Sequence, residues 1–267
     1  MLRITEVVKH LLIINVLVFL AGEFFLDTNM LALRFPTSAD FRPYQIATHF
    51  FMHGGFMHLF FNMFALVMFG SALEALWGPK KFLYFYFACA FGAAVLHLGY
   101  SWWDFSQMEQ AIAQFQANPS PETYWAYFND VPLDKLNPEY QNSVEQLAGA
   151  MRNPSADAVD AGVFRMNEFL RAKVDIPIVG ASGAIYGLLL AFGMYFPNAE
   201  LMLIFLPIPI KAKYFIPILM VVELFLGVNQ FSWDNIAHFA HLGGALTGFL
   251  LILYWRNFGS RFDNTGR

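Results

Sequence analysis

Ser182, His241, His58 and Asn62 are the side chains in this chain whose types and settings point to chemistry. Ser182 lies in Gly180-Ala181-Ser182-Gly183, and His241 lies in Ala240-His241-Leu242-Gly243-Gly244. His58 and Asn62 are four residues apart, hence on one helical face. All four fall in long apolar runs, where polar groups are costly and default to functional candidates. Together they supply a hydroxyl nucleophile, an imidazole base and hydrogen-bond donors, the set that acyl transfer requires. Ser182 would attack a peptide carbonyl, and His241 would take its proton and return it to the leaving amine. The side chains of Asn62 and His58, with the Ser182 N–H at a helix N-terminus, would hold the oxyanion. Ser182 follows Asp175 by seven residues and His241 follows Asp234 by seven, which in helices puts each about 10 Å below its last charge. Gly183 with Gly187, and Gly244 with Gly248, form GxxxG steps that let two helices approach closely. A serine and its base need that approach, since they must come within about 2.6–3.2 Å.

The elements that must position these groups are membrane spans. Hydrophobic residues make up 57 % of the 267, aromatic residues 18 % and charged residues 13 %. An ordinary globular surface needs about twice that charge. A net charge of −4 argues against a nucleic-acid partner, and the single Cys89 excludes an internal disulfide and any cysteine-rich zinc site. Six apolar runs are expected to span: Leu11–Leu26, Phe56–Trp77, Phe82–Trp102, Ile178–Phe196 with Pro177 at its edge, Tyr214–Val228 and Ile236–Trp255. Leu201–Ile210, short and carrying Pro207 and Pro209, reads as a loop near the membrane surface. The runs lack strict alternation, so a β-barrel is not expected. Arg3 and Lys9 precede a first helix without a cleavage site, so it is expected to be retained. Lys80, Lys81, Lys211, Lys213, Arg256, Arg261 and Arg267 then fall on the same side as Arg3 and Lys9, against Arg34 and Arg42 on the other, so both termini are expected in the cytoplasm. Residues 104–175, with Pro119, Pro121, Pro132, Pro138 and Pro154, read as an extracytoplasmic insertion with short amphipathic helices near Met108–Phe115 and Ala161–Leu170. The expected fold is therefore an all-α polytopic membrane protein, one domain over residues 1–267, with that insertion between helices 3 and 4.

Taken in order, these motifs resemble those of the rhomboid intramembrane serine proteases, and the likeness covers all six runs. His58-x-x-x-Asn62, preceded by His49 and His53, resembles the family's second-helix motif. Gly180-Ala181-Ser182-Gly183 resembles its nucleophile motif, and Ala240-His241-x-x-Gly244-x-x-x-Gly248 its catalytic-histidine motif. Tyr186 stands where that family stacks a ring on the catalytic imidazole, and Gly70-x-x-x-Glu74 resembles a pair whose glutamate supports loop structure. The resemblance implies a six-helix bundle and a Ser182–His241 dyad without an aspartate. It also implies transmembrane substrates cut near their outer ends, a lateral gate at the fifth helix, and no cofactor or metal. A bacterial inner membrane is the expected location. The long third loop departs from a minimal bacterial member.

Plainer readings compete. Ser182 alone fits a small residue at a helix start, and Tyr186 alone a packing aromatic. His238 with His241 would make a poor metal pair without a carboxylate, and HExxH is absent. His49 and His53 read as hydrogen-bonding loop residues. Glu23 and Glu223 both lie toward outer helix ends, where solvation accounts for them; the other reading is a third catalytic member orienting His241. A non-catalytic relative that binds membrane helices should lack the serine or histidine, and a transporter should show paired broken helices or midplane carboxylates.

Overall fold

The computed structural model describes residues 3–129, 131, 133–203, 206–229 and 236–258. Pro132, Asp234, Arg261 and Arg267, used above for loop composition, depth and charge, lie outside them. The chain runs through α1 (Glu6–Phe24), α2 (Gln45–Thr48), α3 (Phe56–Ala65), α4 (Ser71–Trp77), α5 (Pro79–Ala117), α6 (Pro121–Phe128), α7 (Pro138–Ala150), α8 (Ala156–Val174) and α9 (Ser182–Tyr195). A hairpin of β1 (Glu200–Leu203) and β2 (Leu206–Lys211) follows, then α10 (Ala212–Asn229) and α11 (His238–Phe258). A π-helical turn, Leu66–Gly70, joins α3 to α4, so Phe56–Trp77 forms one apolar rod.

Five helices among the described residues are long and apolar enough to cross a membrane: Glu6–Phe24, Phe56–Trp77, Pro79–Ala117, Ala212–Asn229 and His238–Asn257. Their outward faces carry Leu17, Phe24, Val95, Ile218 and Val221, each more than 40 % exposed. Apolar exposure on that scale fits lipid rather than water. This is an integral membrane protein.

Three sequence expectations are corrected. The third span was expected to end at Trp102, with separate short helices after Asp104. Instead α5 continues to Ala117 as one 39-residue helix, because residues 101–117 contain neither Gly nor Pro. The Met108–Phe115 segment is its far end, whereas Ala161–Leu170 lies within α8 as a separate helix. The fourth helix was expected from Ile178. It begins at Ser182 and has only 14 residues, about 21 Å, short of a hydrocarbon core of about 30 Å. Ile178 is instead engaged with Leu33 in an antiparallel bridge, through N–H···O bonds of 2.8 and 3.0 Å. Gly180 then adopts φ +119°, outside helical space. The helical-rise estimate of the depth of Ser182 therefore does not apply. Finally, the segment expected as a surface loop is the β-hairpin, pairing Glu200 with Lys211, Leu201 with Ile210 and Leu203 with Leu206. A two-stranded ribbon tolerates its prolines because each strand has an unpaired edge.

Of the three buried clusters among the described residues, the two largest are distinct. In the membrane body, Leu59, Leu66, Phe82, Phe85, Cys89, Ala184, Leu188 and Ile252 pack around α9. In the insertion, Ile112, Phe115, Tyr124, Tyr127, Phe128, Val144, Met151 and Met166 form a separate core from the end of α5 and from α6, α7 and α8. Local chemistry punctuates it. Ser120 and Thr123 form a capping box at α6, and Asn137 and Ser155 cap α7 and α8. Lys173 closes its base onto Asp104 at 2.8 Å.

Candidate active site

α9 is buried along most of its length and packs against α3, α4, α5, α10 and α11. Its contact with α11 depends on glycine. A Cβ on Gly244 would lie 1.8 Å from the Gly183 carbonyl oxygen, and one on Gly183 would lie 2.3 Å from the Ala93 Cβ of α5. The neighbour of Ser182 thus touches the turn that carries His241. One helical turn beyond Ser182, the Tyr186 ring lies flat on the His241 imidazole, with centroids 4.1 Å apart and planes 7° apart.

The segment leading into Ser182 is held by the 25–55 connection. Gly180 N–H donates to the His49 carbonyl at 3.0 Å. Ser38 donates to the Asp175 carboxylate, and Arg34 to the Asp175 carbonyl. Gln45 organises that connection from inside. Its side chain accepts the N–H groups of Arg34 and Arg42 and donates to the carbonyls of Met30 and Asp40. His49, also buried, bonds the Gln45 carbonyl through Nδ1 at 2.8 Å. Burial pushes the His49 imidazole down to about 4. His53, edge-on to His58 at 5.1 Å, is likewise pushed down to about 4, chiefly by burial.

Gly180 is also a point of close approach. A Cβ there would lie 2.9 Å from the His58 Cε1 and Nε2 atoms, and 3.6 Å from Ser182 Oγ. His58 Nδ1 accepts the Gly54 N–H at 3.3 Å, which assigns the ring proton to Nε2, the atom beside Gly180. One turn further along α3, Asn62 is buried, and among the described residues its Nδ2 has no hydrogen-bond partner. A buried donor in that condition needs a reason.

Glu223 of α10 closes the other side of His241. Its Oε2 accepts from His238 Nδ1 at 2.6 Å and His241 Nδ1 at 3.0 Å, while Oε1 accepts the Tyr186 hydroxyl. All of these polar ends except the Tyr186 ring are more than nine-tenths buried. His238 and His241 therefore do have a carboxylate between them, contrary to the sequence reading. The three ligand-type atoms lie within 4.8 Å of one another. Separations of 2.6 and 3.0 Å are nonetheless those of hydrogen bonds; a tetrahedral ion with bonds of about 2.0–2.1 Å would spread them. Among the described residues, His241 bonds through Nδ1, and no hydrogen bond joins its Nε2 to Ser182 Oγ.

The profile of the Rhomboid domain matches residues 40–103 and 159–258, more than half of the chain. The chain belongs to the rhomboid family. Rhomboid-like protein 15 of Arabidopsis thaliana is 43 % identical over 58 residues, which are 22 % of this chain and 14 % of that protein. This chain thus spans a small part of that relative's length. In this rhomboid the first matched segment carries Gln45, His49, His58, Asn62 and Glu74, and the second carries Ser182, Tyr186, Glu223, His238 and His241. The unmatched stretch between them holds most of the insertion core.

Sequence reasoning under-read three residues of this rhomboid. Glu74 was expected to support a loop; it accepts Val7 N–H at 2.9 Å, Val8 N–H at 3.0 Å and the Thr5 hydroxyl, so it caps the N-terminus of α1. Gln45 carries no motif signal. Glu23 is exposed, as interfacial solvation requires, but Glu223 is 6 % exposed and fully engaged.

Proposed function

We propose that this rhomboid is an intramembrane serine endopeptidase that cuts transmembrane substrates near the outer face of the membrane, with Ser182 as nucleophile and His241 as base. The observation that carries this reading is the flat stack of Tyr186 on His241 at 4.1 Å, one turn from Ser182 on the same helix. Ser182 Oγ adds to the scissile carbonyl as its proton passes to His241 Nε2. The oxyanion is received by the Ser182 N–H, by His58 Nε2–H and by the Asn62 amide, whose unpartnered Nδ2 suits a donor awaiting an acceptor. The intermediate collapses as His241 protonates the leaving amine, and water then hydrolyses the acyl-enzyme by the same route. Gly180 supports the arrangement by admitting His58 beside the nucleophile.

In this reading α9 completes a six-helix bundle. Its non-helical approach, residues 176–181, is tolerated because neighbouring protein satisfies it through Leu33 and His49. Both termini are cytoplasmic by the lysine and arginine distribution, the insertion over 104–175 is extracytoplasmic, and the setting is a bacterial inner membrane. No cofactor or metal enters the reaction. The absence, among the described residues, of a hydrogen bond from Ser182 Oγ to His241 Nε2 is what a non-catalytic binder of membrane helices would also show. Catalytic hydrogen bonds, however, commonly tighten only with substrate.

The test is fluorophosphonate labelling of the detergent-solubilised protein. Wild type is expected to label, and Ser182→Ala and His241→Ala to lose labelling and proteolysis while remaining folded. A folded wild type that does not label would favour the helix-binding reading.

A further inference from the structure

The Glu223 cluster goes beyond a two-residue dyad. We propose, resting on the reading of Ser182 and His241 above, that Glu223 is a positioning residue: its carboxylate fixes the tautomer and orientation of His241 and stabilises the imidazolium formed when Ser182 is deprotonated. A carboxylate only accepts hydrogen bonds, so the His241 nitrogen 3.0 Å from Glu223 Oε2 must be Nδ1–H. That leaves the Nε2 lone pair to accept the serine proton. With the proton on Nε2, that nitrogen would have no lone pair to take the serine proton.

The carboxylate is itself held. His238 Nδ1 donates to the same oxygen at 2.6 Å, and the Tyr186 hydroxyl donates to the other. Tyr186 thus acts twice on His241, through its ring on the imidazole plane and through its hydroxyl on the imidazole's partner. Between them, Glu223 and Tyr186 remove both the flip and the tilt of the base. The cost of burying a carboxylate beside lipid argues the same way, since four buried residues of α10, namely Ala212, Ile216, Glu223 and Gly227, include this one acid. Its neighbours Val221, Val222, Leu224 and Phe225 are exposed. Interfacial solvation therefore does not account for it.

The titratable groups around His241 are Glu223 on α10, His238 on its own helix, Tyr186 on α9, and, at longer range, His58 on α3 and His97 on α5. Among these, Glu223 is the acid in hydrogen-bond contact. Removing its charge withdraws support from the imidazolium, so the acid limb of the pH–rate profile must move to lower pH.

The experiment follows the rate of fluorophosphonate labelling of the full chain against pH, in wild type, Glu223→Gln and Glu223→Asp, with thermal unfolding measured in parallel. Glu223→Gln is expected to label about 10²- to 10⁴-fold more slowly, as for loss of a triad acid, with its acid limb displaced downward. Glu223→Asp is expected to recover part of both. A merely structural role would lower the unfolding temperature without moving the limb. A wild type that labels, beside a folded Glu223→Gln of equal rate and unmoved limb, overturns this proposal and leaves Ser182 and His241 standing. A folded wild type that does not label overturns the reading beneath it and this one with it. Where Glu223→Gln does not fold, the ¹⁵N spectrum of His241 in wild type decides: a proton on Nδ1 is expected, and a proton on Nε2 overturns the assignment.

Discussion

Asn62 and Glu223 are both buried polar groups in apolar helices, and their hydrogen bonding separates two ways of serving a site. Glu223 receives three donors, so its hydrogen bonding is complete before any substrate arrives. Asn62 keeps a buried Nδ2 without an acceptor among the described residues, a condition that lowers stability until something fills it. Asn62→Ala should therefore reduce turnover by roughly 10- to 1,000-fold, the range for a lost oxyanion donor, while the unfolding temperature stays level or rises. Peptide-cleavage kinetics alongside calorimetry in detergent would check both halves. Full-rate cleavage by the variant would remove Asn62 from the mechanism.

Helix spacing is the corresponding issue among the elements. α9 and α11 meet backbone to backbone at Gly183 and Gly244, where a Cβ would fall 1.8 Å from a carbonyl oxygen. Backbone cannot yield as the tip of a flexible side chain does, so Gly244→Val must force the helices apart. The expected outcome is a destabilisation of about 3 kcal/mol, at the upper end for overpacking, with loss of Ser182 labelling even in molecules that remain folded. Thermal unfolding combined with labelling of the folded fraction would measure it. Retention of full labelling would show that the reactivity of Ser182 does not depend on this contact.

The whole molecule joins the membrane body to the separate core of residues 104–175, and the 25–55 connection beside their junction carries a pH sensitivity. Buried His49 stays neutral down to about 4, whereas in the unfolded chain it takes a proton near 6.5. Below about 6.5 the unfolded state therefore binds more protons, so stability is full above that pH and falls as pH drops toward 4. His49 accounts for a loss of about 3 kcal/mol over that window, and His53 moves in the same direction. Unfolding temperatures between pH 7.5 and 4.5 should decline in wild type and decline less in His49→Gln. Equal slopes would exclude His49 as the source.

Much of this rhomboid is legible along the chain because its signals are local. Apolar length marks Phe56–Trp77 to the residue and opens the third run at Phe82, three residues into α5, and Ser182, Tyr186, His58 and Asn62 carry motif spacing within single helices. Other features needed the third dimension. Ile178 has the apolar character of a helix opening, yet its backbone pairs with Leu33, far away in sequence. Glu223 looks like any carboxylate near a helix end until α10 lies against α9 and α11. Composition and periodicity decide which segments are buried in lipid and which side chains could react, because burial and helical repeat act over a few residues. Which oxygen meets which nitrogen is decided only by packing, because those partners lie on different helices and no spacing in the chain encodes their separation.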